Sequence, residues 1–289
     1  MRFSKLQGCG NDYIYLDGFV ETLPTDLADC ARRLSDRHRG VGGDGLIVIE
    51  ATDAADCQMR MWNADGSASE MCGNGLRCAA KLAFDRGHIA ARASFATGAG
   101  ILTVDCLLDE QGACRQVAID MGAPRFAVEA IPLRAPAVVS DDGLVHLTLP
   151  AEAPATEALA VGMGNPHCVL FVDDPDSAPV AQWGPRLEHD PRFPNRTNVE
   201  FASRLADEED RPVIRQRTWE RGSGETLACG TGACATAVAA IVTGRMPPGP
   251  CTIRLSGGDL RVDWAGSGPV QLYGEAVHVF DGVWPESLS

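Results

Sequence analysis

Arg60-Met61-Trp62 followed by Cys72-Gly73-Asn74-Gly75, and Arg217-Thr218-Trp219 followed by Cys229-Gly230-Thr231-Gly232, decide how this chain is read. The Arg, Trp and Cys at 60, 62 and 72 recur at 217, 219 and 229, a constant offset of 157. Outward from that pair, other pieces repeat in the same order. Gly8-Cys9-Gly10-Asn11 matches Gly162-Met163-Gly164-Asn165. Arg33-Leu34 matches Arg186-Leu187, which sets Gly45 opposite Asn198. Gly100-Ile101-Leu102-Thr103-Val104 resembles Gly258-Asp259-Leu260-Arg261-Val262. Single matches arise by chance; several in one order, at nearly one offset, do not. The period is far too long for a solenoid. It predicts two copies of one domain, near residues 1–120 and 121–272, with Met121-Gly122-Ala123-Pro124 as the hinge.

Local patterns place the motifs. Tyr13-Ile14-Tyr15-Leu16, Leu46-Ile47-Val48-Ile49 and Val169-Leu170-Phe171-Val172 read as buried strands, and Gln58 to Trp62 alternates polar and apolar. After Cys72, apolar residues at Leu76, Ala79, Ala80, Ala83 and Phe84 have helical spacing, with Gly87 as a stop. After Cys229, Ala233 to Val242 is almost wholly apolar and ends at Gly244, which predicts a helix buried on all sides. The expected fold is therefore mixed α/β: two pseudo-symmetric domains from an internal duplication. Each would be a mixed β-sheet or barrel wrapped around a central helix, with a cysteine at that helix's N-terminus.

A helix start offers unpaired amides and the positive end of the dipole, which favour a thiolate and can grip a carboxylate. The glycines at 73, 75, 230 and 232 allow close backbone approach. If the two helix starts face each other across a cleft between the domains, one sulfur stands on each face of a bound carbon. Inverting a stereocentre needs a base on one face and an acid on the other, both in place before the proton moves. Amides around the carboxylate would stabilise the developing enolate-like charge. Other uses of such a cysteine fit less well. A cysteine phosphatase loop needs Arg six residues on, where Cys78 and Ala235 stand. A Cys-His acyl-transfer nucleophile with His167 as base leaves the second Cys-Gly-x-Gly unexplained. A phosphate loop would carry Lys and Ser/Thr. A binding module for an amino acid would have no need of two sulfurs, and a cysteine that merely fills a cap explains one site better than two.

Composition bounds the rest. The net charge of −14 and the interleaving of Arg32, Arg33, Arg37 and Arg39 with Asp36 and His38 argue against a nucleic-acid surface. Eleven cysteines, an odd number without Cys-x-x-Cys, argue against a disulfide framework or a zinc site. No apolar run is long enough for a membrane span, and Met1 to Gly8 lacks the pattern of a signal peptide, so a cytoplasmic protein is expected.

Six motifs resemble one known family. They are Gly8-Cys9-Gly10-Asn11-Asp12, Asn63-Ala64-Asp65-Gly66-Ser67, Met71 to Cys78, Gly164-Asn165-Pro166-His167-Cys168-Val169, Asn198-Val199-Glu200-Phe201, and Trp219-Glu220-Arg221-Gly222 running on to Gly232. They resemble the diaminopimelate epimerases, and the likeness extends to His278-Val279-Phe280-Asp281-Gly282. Proline racemases share the Cys-Gly pattern but usually have His where Asn74 stands, and phenazine-type isomerases lack the cysteine pair. The resemblance implies cofactor-independent, metal-free interconversion of LL- and meso-diaminopimelate, on the route to lysine and cell-wall cross-links. It implies Cys72 and Cys229 as the acid/base pair. Amides of Gly73, Asn74, Gly230 and Thr231 would hold the reacting carboxylate. Asn11, Asn63, Asn165, Asn198 and Arg221 would read the distal end of the substrate. Glu220 would bind ammonium and, with His167, orient the thiols. The family fold returns the last strand to the first domain, so the expected domains are 1–120 with 273–289, and 121–272. A homodimer is expected, although Phe280 stands where relatives often have Tyr. The family's frequent Gln is Gly45 here, so no substrate contact is carried onto that position.

Overall fold

The computed structural model describes residues 1–134, 138–140 and 143–285. The chain divides into two compact units, Met1–Asp120 with Tyr273–Ser289, and Met121–Leu272.

The first unit opens with β1 (Arg2–Gly8) and β2 (Asn11–Asp17), an antiparallel hairpin. Its two-residue turn is Cys9-Gly10, both at positive φ (52° and 78°), the geometry that matches the twist of flanking strands. That turn delivers Asn11 to the first position of β2. Then follow α1 (Leu27–Ser35), β3 (Gly45–Glu50), β4 (Cys57–Asn63), β5 (Ala68–Ser69), α2 (Gly73–Asp85), β6 (Arg92–Thr97), β7 (Gly100–Leu108) and β8 (Cys114–Asp120). Helix α1 is capped by Asp26, whose side chain accepts from the Asp29 amide. It lays Leu27, Ala31 and Leu34 on Ile14, Leu16, Leu46 and Val48 of the sheet.

The second unit holds β9 (Val138–Val139), β10 (Val145–Thr148), β11 (Glu157–Gly162), β12 (Pro166–Phe171), α3 (Val180–Glu188), β13 (Asn198–Arg204), β14 (Val213–Glu220), β15 (Gly224–Thr226), α4 (Gly230–Val242), β16 (Gly249–Leu255) and β17 (Gly258–Trp264). After β18 (Gln271–Glu275), β19 (Val277–Val283) pairs antiparallel with β1 in the first unit.

The duplication is visible in the ladders. In the first unit β2–β3 is parallel, β3–β4 and β4–β5 antiparallel, β4–β6 parallel and β6–β7 antiparallel. In the second, β12–β13, β13–β14, β14–β15, β14–β16 and β16–β17 repeat that order and sense. The register repeats as well: Tyr13 lies opposite Gly45, and His167 opposite Asn198. Each sheet curls about one helix. Helix α2 packs on β1, β2, β3, β7 and β8, and α4 on β11, β12, β13 and β17. Every residue from Leu76 to Ala83 is buried, as is every residue from Gly232 to Ile241. The alanine-rich sequence of α4 suits both its position and its helicity, because Ala has no rotamer freedom to lose in a helix.

Candidate active site

Both sequence-predicted cysteines are helix N-caps. Cys72 (φ −133°, ψ 122°) and Cys229 (φ −126°, ψ 114°) have the extended backbone of a cap, and each sulfur accepts from the amide three residues on. The distances are 3.5 Å from Gly75 N to Cys72 Sγ and 3.3 Å from Gly232 N to Cys229 Sγ. Sulfur thus takes the place that Ser, Thr or Asp oxygen normally fills. The remaining amides of the first turn, Gly73 with Asn74 and Gly230 with Thr231, belong to the end of each helix that favours anions.

In the first unit, Asn11, Cys72 and Asn74 form one cluster. The Cys72 thiol donates to Asn11 Oδ1 at 3.2 Å, and Asn74 Nδ2 approaches the same oxygen at 3.4 Å. Asn11 Nδ2 donates to Asp44 Oδ2 at 2.5 Å, which fixes which end of the amide faces the thiol. Arg77, wholly buried in α2, donates to Asn74 Oδ1 at 2.8 Å. The Tyr13 hydroxyl reaches Asn11 and Cys72, and burial pushes its pKa up. Asn63 stands apart from this cluster in its hydrogen bonding, donating to Ser67 Oγ at 2.9 Å at the β4–β5 turn.

In the second unit, Cys229, Thr231, Asn165 and His167 form a chain. Cys229 Sγ lies 3.5 Å from Thr231 Oγ1, Asn165 Nδ2 donates to Thr231 Oγ1 at 3.4 Å, and His167 Nε2 meets Asn165 Oδ1 at 2.8 Å. His167 Nδ1 meets Glu200 Oε1 at 2.8 Å, with both side chains fully buried. Glu220 accepts from Thr226 Oγ1 at 2.6 Å and bonds the Cys229 thiol. Burial pushes the Glu220 carboxyl up. Asn198 Oδ1 accepts from the Arg221 backbone amide at 2.8 Å, while the Arg221 guanidinium, exposed, donates to Asn195 O at 3.0 Å.

Two features differ from what the sequence suggests. A helix N-terminus alone would favour a thiolate at Cys229, yet its pKa is pushed well above the ordinary thiol range. Burial is the main cause, followed by the negative charges of Glu220 and Glu200; Thr231 and the Gly232 amide oppose them and do not prevail. The second concerns the group that the ring of His167 bonds. It spends both nitrogens on Glu200 and Asn165, so of the two expected orienting groups it is Glu220 that bonds the Cys229 thiol. Glu200 was not singled out from the sequence. The repeat held a signal for it: Glu200 lies opposite Thr218, and the corresponding pair in the first unit is Ile47 opposite Met61. A carboxylate thus occupies a strand position that is apolar in the first copy.

The diaminopimelate epimerase family profile matches residues 3–127 and 159–279. The diaminopimelate epimerase of Desulforudis audaxviator is 46% identical over 286 residues, 98% of this chain and 99% of that protein. That of Leptospira biflexa is 41% identical, covering 98% of each. Among solved structures, a Bacillus anthracis phenazine biosynthesis protein of the PhzF family superposes with a TM-score of 0.69 at 15% identity, covering 98% of both chains. A hydroxyproline epimerase from Agrobacterium vitis, solved with trans-4-hydroxy-L-proline, gives 0.63 at 18% identity, covering 98% of this chain and 90% of that one. At such identities the structures establish a shared fold, whereas the sequence relatives, similar over nearly their whole length, establish kinship: the chain belongs to the diaminopimelate epimerase family.

Proposed function

We propose that this protein interconverts LL- and meso-diaminopimelate by moving the proton of one α-carbon between two thiols without a cofactor, in the supply of lysine and peptidoglycan precursors. The observation that carries the reading is the doubled N-cap: one chain of this family holds two cysteines with the same backbone, the same helix start and the same bond from the third amide. In one direction Cys229, held neutral by Glu220 and Glu200, gives a proton to the α-carbon as Cys72 takes one; in the other the roles exchange. The amides of Gly73, Asn74, Gly230 and Thr231 receive the carboxylate and the charge that develops beside it. Asn11, Asn63, Asn165, Asn198 and Arg221 read the distal amino-acid end, where a planar guanidinium suits a carboxylate and neutral amides suit the rest.

Two coarser features frame the proposal. Among the described residues no helix is long and apolar enough to cross a membrane, and a cytoplasmic site of action fits a biosynthetic substrate. A homodimer is part of the same reading, supported by Val279, Phe280 and Val283, which stand 52%, 45% and 72% exposed on β19.

The test is exchange of the α-proton in D2O, with diaminopimelate, lysine and proline compared. Diaminopimelate should exchange and epimerise and the other two should not. Cys72→Ala and Cys229→Ala should each cost roughly 10²–10⁴ or more in turnover, since one acid/base group is lost. No exchange with any substrate would leave a binding module. Near-normal turnover in either alanine variant would end the two-thiol mechanism.

A further inference from the structure

Glu200 is a fully buried carboxylate on β13, within the second unit. Its Oε1 meets His167 Nδ1 at 2.8 Å, and its Oε2 has no hydrogen-bond partner among the described residues. A Cβ on Gly232 would come within 2.7 Å of Oε1, so that glycine leaves room for the carboxylate beside the first turn of α4. In the first unit the same place, over Gly75, is filled by the end of Ile47.

Donor and acceptor roles follow from these partners. Asn165 turns its Nδ2 to Thr231 Oγ1, so its Oδ1 faces His167 Nε2. An amide oxygen only accepts, so Nε2 carries a hydrogen. Another proton lies between Nδ1 and Glu200 Oε1. Whether that proton rests on Oε1 or on Nδ1, Nε2 keeps its own hydrogen, so the carboxyl of Glu200 fixes the tautomer of the ring.

We propose that Glu200 is a positioning residue for the reaction: it occupies His167 Nδ1, so the ring keeps its hydrogen on Nε2, donates to Asn165 Oδ1 and holds that amide with its NH2 end toward Thr231. The consequence for substrate rests on the reading above, that Asn165 contacts it. Without that carboxyl at Nδ1 the ring hydrogen is free to move from Nε2 to Nδ1, leaving Nε2 bare. The Asn165 amide then turns over at little cost and presents oxygen where the substrate should meet a donor. A Glu200 that merely filled the core would leave the His167 tautomer unchanged when replaced by its isostere.

The test uses the full-length enzyme labelled with [15N]histidine, with the His167 signals assigned by their loss in His167→Gln. In the unmodified protein the His167 Nε2 should carry a hydrogen, read from its one-bond N–H coupling. Glu200→Gln should move that hydrogen to Nδ1 in a substantial share of molecules, and Glu200→Asp should retain it on Nε2. Glu200→Gln should also raise KM for diaminopimelate roughly tenfold, the worth of one hydrogen bond, with a smaller fall in kcat. Asn165→Ala should then cost far less in the Glu200→Gln background than alone. A bare His167 Nε2 in the unmodified protein overturns the proposal, and so does an equal cost of Asn165→Ala in both backgrounds. Because the ring signature is read without substrate, failure of the assigned substrate would appear separately, as absence of epimerisation in the unmodified enzyme.

Discussion

Cys229 sits where two influences oppose one another, and the outcome determines its chemistry. The helix start and the Thr231 hydroxyl favour the thiolate; burial, Glu220 and Glu200 favour the thiol, and they prevail. Because the pKa is raised, the thiol stays protonated through neutrality and begins to ionise only above the ordinary thiol range, so the acid form is present at low and neutral pH and lost as pH rises beyond it. Iodoacetamide should therefore modify Cys229 more slowly than an exposed thiol at neutral pH, with the rate climbing only at strongly alkaline pH. Glu220→Gln should move that climb to lower pH. Rapid alkylation of Cys229 at neutral pH, mapped by peptide, would contradict the charge balance. The sequence made the cysteine and its helix legible, because the apolar spacing after Cys229 is unambiguous. It did not make the balance legible, because Glu200 comes from a strand about thirty residues earlier and is brought in only by the pairing of β13 with β12 and β14.

At the scale of the element, the two central helices begin alike and are supported differently. Gly75 and Gly232 each occupy the third helical position and donate to the cap sulfur. Neither has a positive φ, so alanine is acceptable to the backbone at both. The neighbours decide the outcome. At Gly75 a Cβ would meet the Ile47 Cδ1 methyl at 2.6 Å, the end of a flexible side chain, and Cys72 Sγ only at 3.9 Å. At Gly232 it would meet Glu200 Oε1 at 2.7 Å and Cys229 Sγ at 3.2 Å, and that carboxylate is tied to His167. Gly232→Ala should thus lose about 1–3 kcal/mol of stability through overpacking and reduce turnover with it. In Gly75→Ala, movement of Ile47 and the better helix propensity of alanine, about 0.5–1 kcal/mol, should nearly offset the crowding. Denaturant midpoints and kcat for the two variants check this; equal losses would mean that Glu200 gives way as freely as Ile47. The glycines could be seen in the sequence as places of close approach, but what approaches them could not.

For the whole molecule, the repeat made the two-copy plan legible, since the offsets of Arg, Trp and Cys are constant and the strand ladders follow the same order in both units. The repeat did not contain the end of the chain. Strand β19 has no partner in the offset pattern, and its pairing with β1, Arg2 opposite Val283 and Lys5 opposite Phe280, joins segments at opposite ends of the sequence. That strand carries an uneven load. Phe280 packs edge-on against Phe3, with centroids 6.0 Å apart, yet stays 45% exposed, and Val279 and Val283 are exposed still more. Apolar side chains grouped on one strand suit a second copy of this chain, as the family resemblance implies for the position of Phe280. Val279 and Val283 separate association from folding, because neither is part of the buried core, whereas changing Phe280 would also disturb Phe3. A Val279→Glu, Val283→Glu double variant should keep its thermal midpoint within a few degrees, the expectation for surface changes. The unmodified protein should sediment as two chains, and the double variant's sedimenting mass should fall to that of one. A variant that remains dimeric would move the interface off β19, and an unmodified protein that sediments as a single chain would remove the dimer altogether.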